Sequence, residues 1–241
     1  YQPQDSPEQR EFDKKIQGMY ETMKKCGRPD LKIWATEIGW QGTNTFYRDI
    51  KYVENPSYEQ MWSEETQADF IIRGNVIARA CGLARYCFFI LSGGMKSNPY
   101  LYGFFNGVFD TPKAVYPAYG AMVSFLRGSS FVREISIGND LRCYVFERRD
   151  GPVAVLWHVS SGSDRSTRIS MPQPCDNLKI WDTMGNVLAT VRNGHPMDFR
   201  LEGGSPFYLT AEKTADLVAA LERISAKAET VTADMSLNPE A

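Results

Sequence analysis

The chain has 241 residues, 43% of them apolar and 23% charged, which is enough apolar material for one large domain or two modest ones. Its 27 Lys and Arg and 29 Asp and Glu are well mixed and leave a net charge of -2. This balance lacks the electrostatic footprint of a nucleic-acid binder or of a protein held on an anionic membrane, and no apolar stretch reaches the length of a membrane span.

Ser6-Pro7-Glu8-Gln9 reads as a helix start, with Ser6 as N-cap, Pro7 at the first helical position and Gln9 placed to close a capping box. Phe12, Ile16, Met19 and Met23 recur at helical spacing, and Gly27 supplies the stop. After the turn Gly27-Arg28-Pro29-Asp30, the short apolar run of Leu31, Ile33, Trp34 and Ala35 predicts a buried parallel strand. Glu37 ends that strand, Gly39 permits a sharp exit, and Trp40 offers a flat apolar face beside the acid. Two readings of Glu37 stand at this point: a reactive carboxylate, or an acid that closes a strand and points at water.

Residues 41–62 form a long polar and aromatic loop with Phe46, Tyr47, Tyr52, Tyr58 and Trp62, either stacking surfaces for sugar rings or packing that holds the loop to the body. Ser63-Glu64-Glu65 opens a second helix that continues through Phe70, Ile71, Gly74, Ile77 and Cys81 and stops at Gly82. A second apolar strand, residues 86–91, carries Phe89 and leads into Ser92-Gly93-Gly94 and another loop ending near Asp110. A third helix is expected after Pro117, stopping at Gly128. Helices and strands alternate, which predicts parallel strands with helical crossovers.

Beyond Gly128 come eight short strand candidates, residues 131–137, 142–148, 153–159, 165–171, 178–181, 187–191, 197–201 and 207–210, separated by turns such as Asp150-Gly151-Pro152 and Met184-Gly185-Asn186. Strands at this spacing predict an antiparallel sandwich. After Glu212 an amphipathic helix carries Leu217, Val218, Leu221 and Ile224, and the polar end, residues 230–241, is expected to be disordered.

Two parallel strands with three helices do not make a stable unit, since an apolar face and backbone edges stay uncovered. Further strands are therefore expected from chain upstream of Tyr1, which is not an initiator methionine, or from a partner. Cys26, Cys81, Cys87, Cys143 and Cys175 are odd in number, scattered and without Cys-x-x-Cys spacing, so they read mostly as free thiols. His158 and His195 give little material for a Ser-His or zinc site, and His158 beside Trp157 reads as a core or rim residue.

Four stretches together resemble the C-terminal part of a clan A glycoside hydrolase. Trp34-Ala35-Thr36-Glu37-Ile38-Gly39-Trp40 looks like the seventh barrel strand, in which Thr-Glu-x-Gly-aromatic carries the nucleophile. Gln67-Ala68 through Ala80-Cys81-Gly82 is similar to the seventh helix and leads to the eighth strand. Tyr102-Gly103-Phe104-Phe105 with Phe109-Asp110-Thr111-Pro112-Lys113-Ala114-Val115-Tyr116-Pro117-Ala118-Tyr119 looks like the segment before the last helix. Ile180-Trp181-Asp182-Thr183-Met184-Gly185-Asn186 and Ser205-Pro206-Phe207-Tyr208-Leu209 are similar to the hairpin and final strand of the companion sandwich.

The resemblance implies an α/β plus all-β chain: residues 1–128 as strands 7 and 8 of a (β/α)8 barrel with their helices, 129–212 as a β-sandwich, and 213–241 as a helix and disordered tail. It implies hydrolysis of glycosidic bonds with retention, a carbohydrate substrate, no cofactor or metal, no nucleic-acid or membrane partner, and a secreted or extracellular location. Glu37 would be the nucleophile, Trp40 and Phe89 the floor under the sugar, and Tyr47 and Trp62 contacts farther along. The chain departs from the family in lacking the general acid/base, an Asn-Glu pair at the end of the fourth strand. A barrel that binds carbohydrate or serves structure without chemistry is the competing reading.

Overall fold

In the computed structural model, which describes residues 5–42, 62–93, 102–106, 111–138, 140–159, 165–192 and 194–230, three helices end on glycines of positive φ. Helix α1 (Phe12–Lys25) runs into Gly27 at 71°, α2 (Glu64–Ala80) into Gly82 at 78°, and α3 (Val115–Leu126) into Gly128 at 72°. A left-handed residue there gives the last carbonyls new donors, and glycine adopts it without a Cβ clash. Ser63 caps α2 by accepting the Thr66 N–H at 3.1 Å.

Two helix starts differ from expectation. The capping box of Ser6 and Gln9 does form, with reciprocal bonds of 2.9 and 3.2 Å, but it closes a separate turn. Glu11, at φ 49°, breaks the backbone before α1 begins at Phe12. That break frees the turn to aim Glu8 away from the helix. Helix α3 begins before Pro117, which occupies the first turn, where its missing N–H costs no intrahelical bond.

Strands β1 (Trp34–Ile38) and β2 (Arg85–Phe88) pair in parallel, as the alternation of elements predicts. The expected burial of β1 is not found: Trp34 is 60% exposed and Leu31 42%. The helices cover one face of this pair, packing on Ile38, Tyr86 and Phe88, and among the described residues the other face stays open. Strands β3 (Ser92–Gly93), β4 (Phe105–Asn106) and β5 (Thr111–Pro112) form a small separate sheet.

All eight strand candidates in the second half are present: β6 (Ser130–Ile137), β7 (Leu141–Glu147), β8 (Val153–His158), β9 (Arg165–Met171), β10 (Leu178–Trp181), β11 (Val187–Val191), β12 (Met197–Glu202) and β13 (Phe207–Thr210). Six make one sheet in the order β11-β10-β13-β8-β7-β6. Its alternating side chains build two cores. Tyr144, Phe146, Val155, Trp157 and Tyr208 pack with Phe70, Ile77, Met122 and Phe125 of α2 and α3. Cys143, Val145, Leu156 and Leu209 face the other way, toward Ile169, Met171 and Leu201 of a three-stranded sheet and Leu217 and Leu221 of helix α4 (Thr214–Leu221). The architecture is thus mixed α/β with several antiparallel sheets.

The third strand of that smaller sheet, β14 (Ser225–Thr230), pairs antiparallel with β9 and was not legible as a strand. Its sequence, Ser-Ala-Lys-Ala-Glu-Thr, carries no strong apolar pattern, so backbone pairing decides its conformation. The rest of the polar end, residues 231–241, lies outside the described residues.

A polar cluster is buried where the helices meet the six-stranded sheet. Arg73 of α2, 0% exposed, pairs with the Glu8 carboxylate, donating from Nε at 3.0 Å, and also donates to the Val159 carbonyl at 2.9 Å. The Trp157 indole donates to the same carboxylate at 2.8 Å. One turn earlier on α2, Asp69 accepts the Ser205 hydroxyl at 2.9 Å. Burial drives the Asp69 carboxyl up to about 7, against the smaller opposing pull of the Ser205 hydrogen bond and the Arg73 charge.

Candidate active site

The parallel pairing brings the carboxyl ends of β1 and β2 together. Trp34 stands opposite Arg85, Ala35 opposite Tyr86, and Ile38 opposite Phe88. Between Ala35 and Ile38 the register shifts, so three steps of β1 oppose two of β2. An extra residue in a strand defeats its strict alternation and can re-aim a side chain. Here Thr36 and Glu37 are both exposed while Ala35 and Ile38 turn inward. The irregularity therefore puts Glu37 on the open face, which also carries Trp34, Arg85 and Cys87, with the Arg85 guanidinium 5.9 Å from the Trp34 ring centre.

Phe89 is brought to the same end. Its N–H donates to the Ile38 carbonyl at 2.8 Å, and its ring meets Tyr102 edge to face at 5.8 Å. Trp40, expected beside the acid, takes another place. It is 2% exposed, packs on Phe70 at 5.9 Å, and donates its indole N–H to the Asp5 carbonyl at 2.8 Å. The chain leaves the strand after Ile38, and Trp40 lands in the core against α2 and does not present a face beside Glu37. Trp62 is half-buried, bridged to Gly42, and set against Phe70 at 5.0 Å, which anchors the near end of α2. Tyr47 lies outside the described residues.

Gln67 holds this end of the molecule together. Gln67 of α2, fully buried, donates from Nε2 to the Trp40 carbonyl at 2.7 Å and to the Tyr102 carbonyl at 3.2 Å. It ties the segments that follow β1 and β2 to one helix. Nothing in the sequence singles Gln67 out, since Glu64, Glu65, Thr66 and Asp69 around it are polar too; its burial is what requires its amide to have partners. Lys113, also buried, sits before α3 with the Glu64 carboxylate near it; burial lowers its ammonium to about 8. Glu64 also accepts the Ala114 N–H at 3.3 Å, a structural role consistent with its reading as a helix-start charge. Asp182 accepts the N–H groups of Met184 and Asn186 at 2.9 and 2.8 Å, as expected of a hairpin turn. The five cysteines are free thiols. Among the described residues no three His, Cys, Asp or Glu side chains are arranged to hold a metal ion, and no helix is long and apolar enough to cross a membrane.

The fold is similar to part of several solved glycoside hydrolases. A family 39 glycoside hydrolase from the gut symbiont Bacteroides cellulosilyticus WH2 superposes with a TM-score of 0.55 at 21% identity, over 77% of this chain and 34% of that one. A family 30 subfamily 8 xylanase from Clostridium acetobutylicum gives 0.52 at 14% identity, over 76% and 43%. A family 30 endoxylanase from Clostridium papyrosolvens C71 gives 0.50 at 13% identity, over 81% and 44%. The chain thus spans between about a third and under half the length of these structures. At such identities the likeness is one of fold, and it agrees with the clan A resemblance carried by the sequence motifs. No family model and no curated protein matches the chain.

Proposed function

We propose that this chain is the C-terminal part of a retaining glycoside hydrolase, with Glu37 as its nucleophile. One observation carries the reading: the register irregularity in β1 turns Glu37, at the strand's carboxyl end, onto the open face, at the end of the strand pair where the Phe89 N–H meets the Ile38 carbonyl. The carboxyl ends of strands are where α/β barrels place their chemistry. On this reading residues 1–128 supply the last two strand-helix units of a (β/α)8 barrel, residues 129–212 a companion sandwich, and residues 213–241 a helix and the strand β14 that pack onto that sandwich, followed by a tail. The remaining strands come from another segment and cover the face that carries Trp34, Arg85 and Cys87.

The chemistry needs two carboxyl groups about 5 to 5.5 Å apart. The ionised Glu37 attacks the anomeric carbon as the glycosidic C–O bond breaks and the leaving oxygen takes a proton from the second acid. Water, deprotonated by that same group, then displaces Glu37 and restores the original configuration. Phe89 supplies an apolar floor for the sugar, and Tyr47 and Trp62 lie farther along the loop that follows β1. Trp40 supports the site from the core beneath it. The substrate is a carbohydrate polymer, met outside the cell, and xylan is the first to screen because two of the similar structures are xylanases.

The test joins the chain to its upstream segment and compares the parent with Glu37→Gln. Turnover falling by several orders of magnitude with unchanged folding supports the assignment. Near-normal activity removes Glu37 from the mechanism, and an intact barrel with no second acid facing Glu37 makes the protein a non-catalytic carbohydrate binder.

A further inference from the structure

The six-stranded sheet carries a second polar cleft, on a different sheet from Glu37. In β10, Leu178 and Ile180 enter the core between the sheets, so Lys179 and Trp181 project from the opposite face. Lys179 pairs with Thr190 of β11 on one side and Thr210 of β13 on the other, making a row of polar side chains across three strands. Around this row a cleft of about 660 Å³ opens, with Phe125, Arg148, Asp150, Arg192 and Glu212 also on its walls. That size suits a ligand of a few sugar units.

Trp181 is held ready at this cleft. Its indole N–H donates to Thr210 Oγ1 at 3.0 Å, and its ring meets Phe125 edge to face at 5.3 Å. An aromatic fixed in this way loses little freedom when a flat apolar face settles on it. The charges lean one way: Arg148, Lys179 and Arg192 against Asp150 and Glu212. Glu212 already accepts from Asn177 at 2.8 Å, and among the described residues Lys179 and Arg192 form no ion pair. The Lys179 ammonium lies over the Trp181 ring, 5.8 Å from its centre, and Arg192 lies on the same cleft. An aromatic ring with cations at its side suits a ligand with an apolar ring face and a carboxylate beside it, the carboxylate drawing Lys179 off the ring by charge-assisted hydrogen bonds.

We propose that this cleft binds an acidic oligosaccharide, a chain carrying uronic-acid carboxylates, independently of any chemistry at Glu37. Affinity gel electrophoresis of the purified chain tests it, with polygalacturonate in the gel, the same polymer after carboxyl reduction, and dextran sulfate as a polyanion without uronate. Polygalacturonate is expected to retard the protein. Trp181→Ala and the paired Lys179→Glu, Arg192→Glu variant are each expected to weaken binding at least about tenfold, the loss typical of a central aromatic or arginine anchor. Lys179 and Arg192 are exposed, so the charge variant keeps the fold even where Trp181→Ala loosens the contact with Phe125. Absence of retardation, equal retardation by the reduced polymer or by dextran sulfate, or unchanged binding by the charge variant overturns the proposal. Hydrolysis is not measured, so the outcome is separate from the role of Glu37.

Discussion

Asp69→Asn isolates the effect of a carboxyl buried between α2 and the six-stranded sheet. The native carboxyl is raised from 3.8 to about 7, chiefly by burial. Between those values the folded chain holds a proton that the unfolded chain has released. Stability therefore falls as pH rises through this window, and the full penalty is present above about pH 7. At about 1.4 kcal/mol per pH unit, a shift of roughly 3 units corresponds to about 4 kcal/mol. Asparagine is neutral throughout and its Oδ1 can still accept the Ser205 hydroxyl, which lies 2.9 Å from the native carboxyl. The variant should match the parent near pH 4 and exceed it near pH 8 by about 4 kcal/mol, or roughly 10 °C in melting temperature for a chain of this size. Urea and thermal unfolding followed by tryptophan fluorescence across that range measure both quantities. A variant less stable than the parent near pH 8 would show that ionised Asp69 serves Arg73 as a needed counter-charge, and a parent slope that persists in the variant would assign the titration to another group.

Other substitutions probe the same framework. Arg73→Met leaves the Glu8 carboxylate in a nearly dry site with only the Trp157 indole, and should cost about 3 to 5 kcal/mol in urea unfolding. Adding Glu8→Gln should recover part of that loss, whereas additive losses would mean that the two groups do not act as a pair. At Gly74 an added Cβ would stand 2.8 Å from the Tyr86 hydroxyl and 3.0 Å from the Trp40 ring. Gly74→Ala should therefore cost about 1 to 3 kcal/mol and alter the near-ultraviolet signal of Trp40. An unchanged signal and stability would show that this contact relaxes freely.

Much of the fold is legible because local chemistry and packing agree. Alternation in the second half places all eight predicted strands, since each strand of a two-faced sheet must divide its side chains between faces. The three helix stops follow from glycine's access to positive φ. The capping box at Ser6 shows where such reasoning stops: its hydrogen bonds form, but Glu11 breaks the helix behind it. Nothing local to Glu8 announces Arg73 or Trp157 as partners, because those contacts span 65 and 149 positions of sequence.

At the candidate site the division is sharper. The run from Trp34 to Trp40 by itself determines a strand that ends in a carboxylate followed by a glycine exit. Only the tertiary structure decides which way the residues face. A side-chain period of 2 assigns faces once the register is known, and the shift between Ala35 and Ile38 arises from pairing with β2, 50 residues away. The same dependence explains Trp34 and Trp40. Both are large aromatics in one short motif, yet Trp34 is 60% exposed and Trp40 2%, because α2 packs beneath one of them and the open sheet face carries the other.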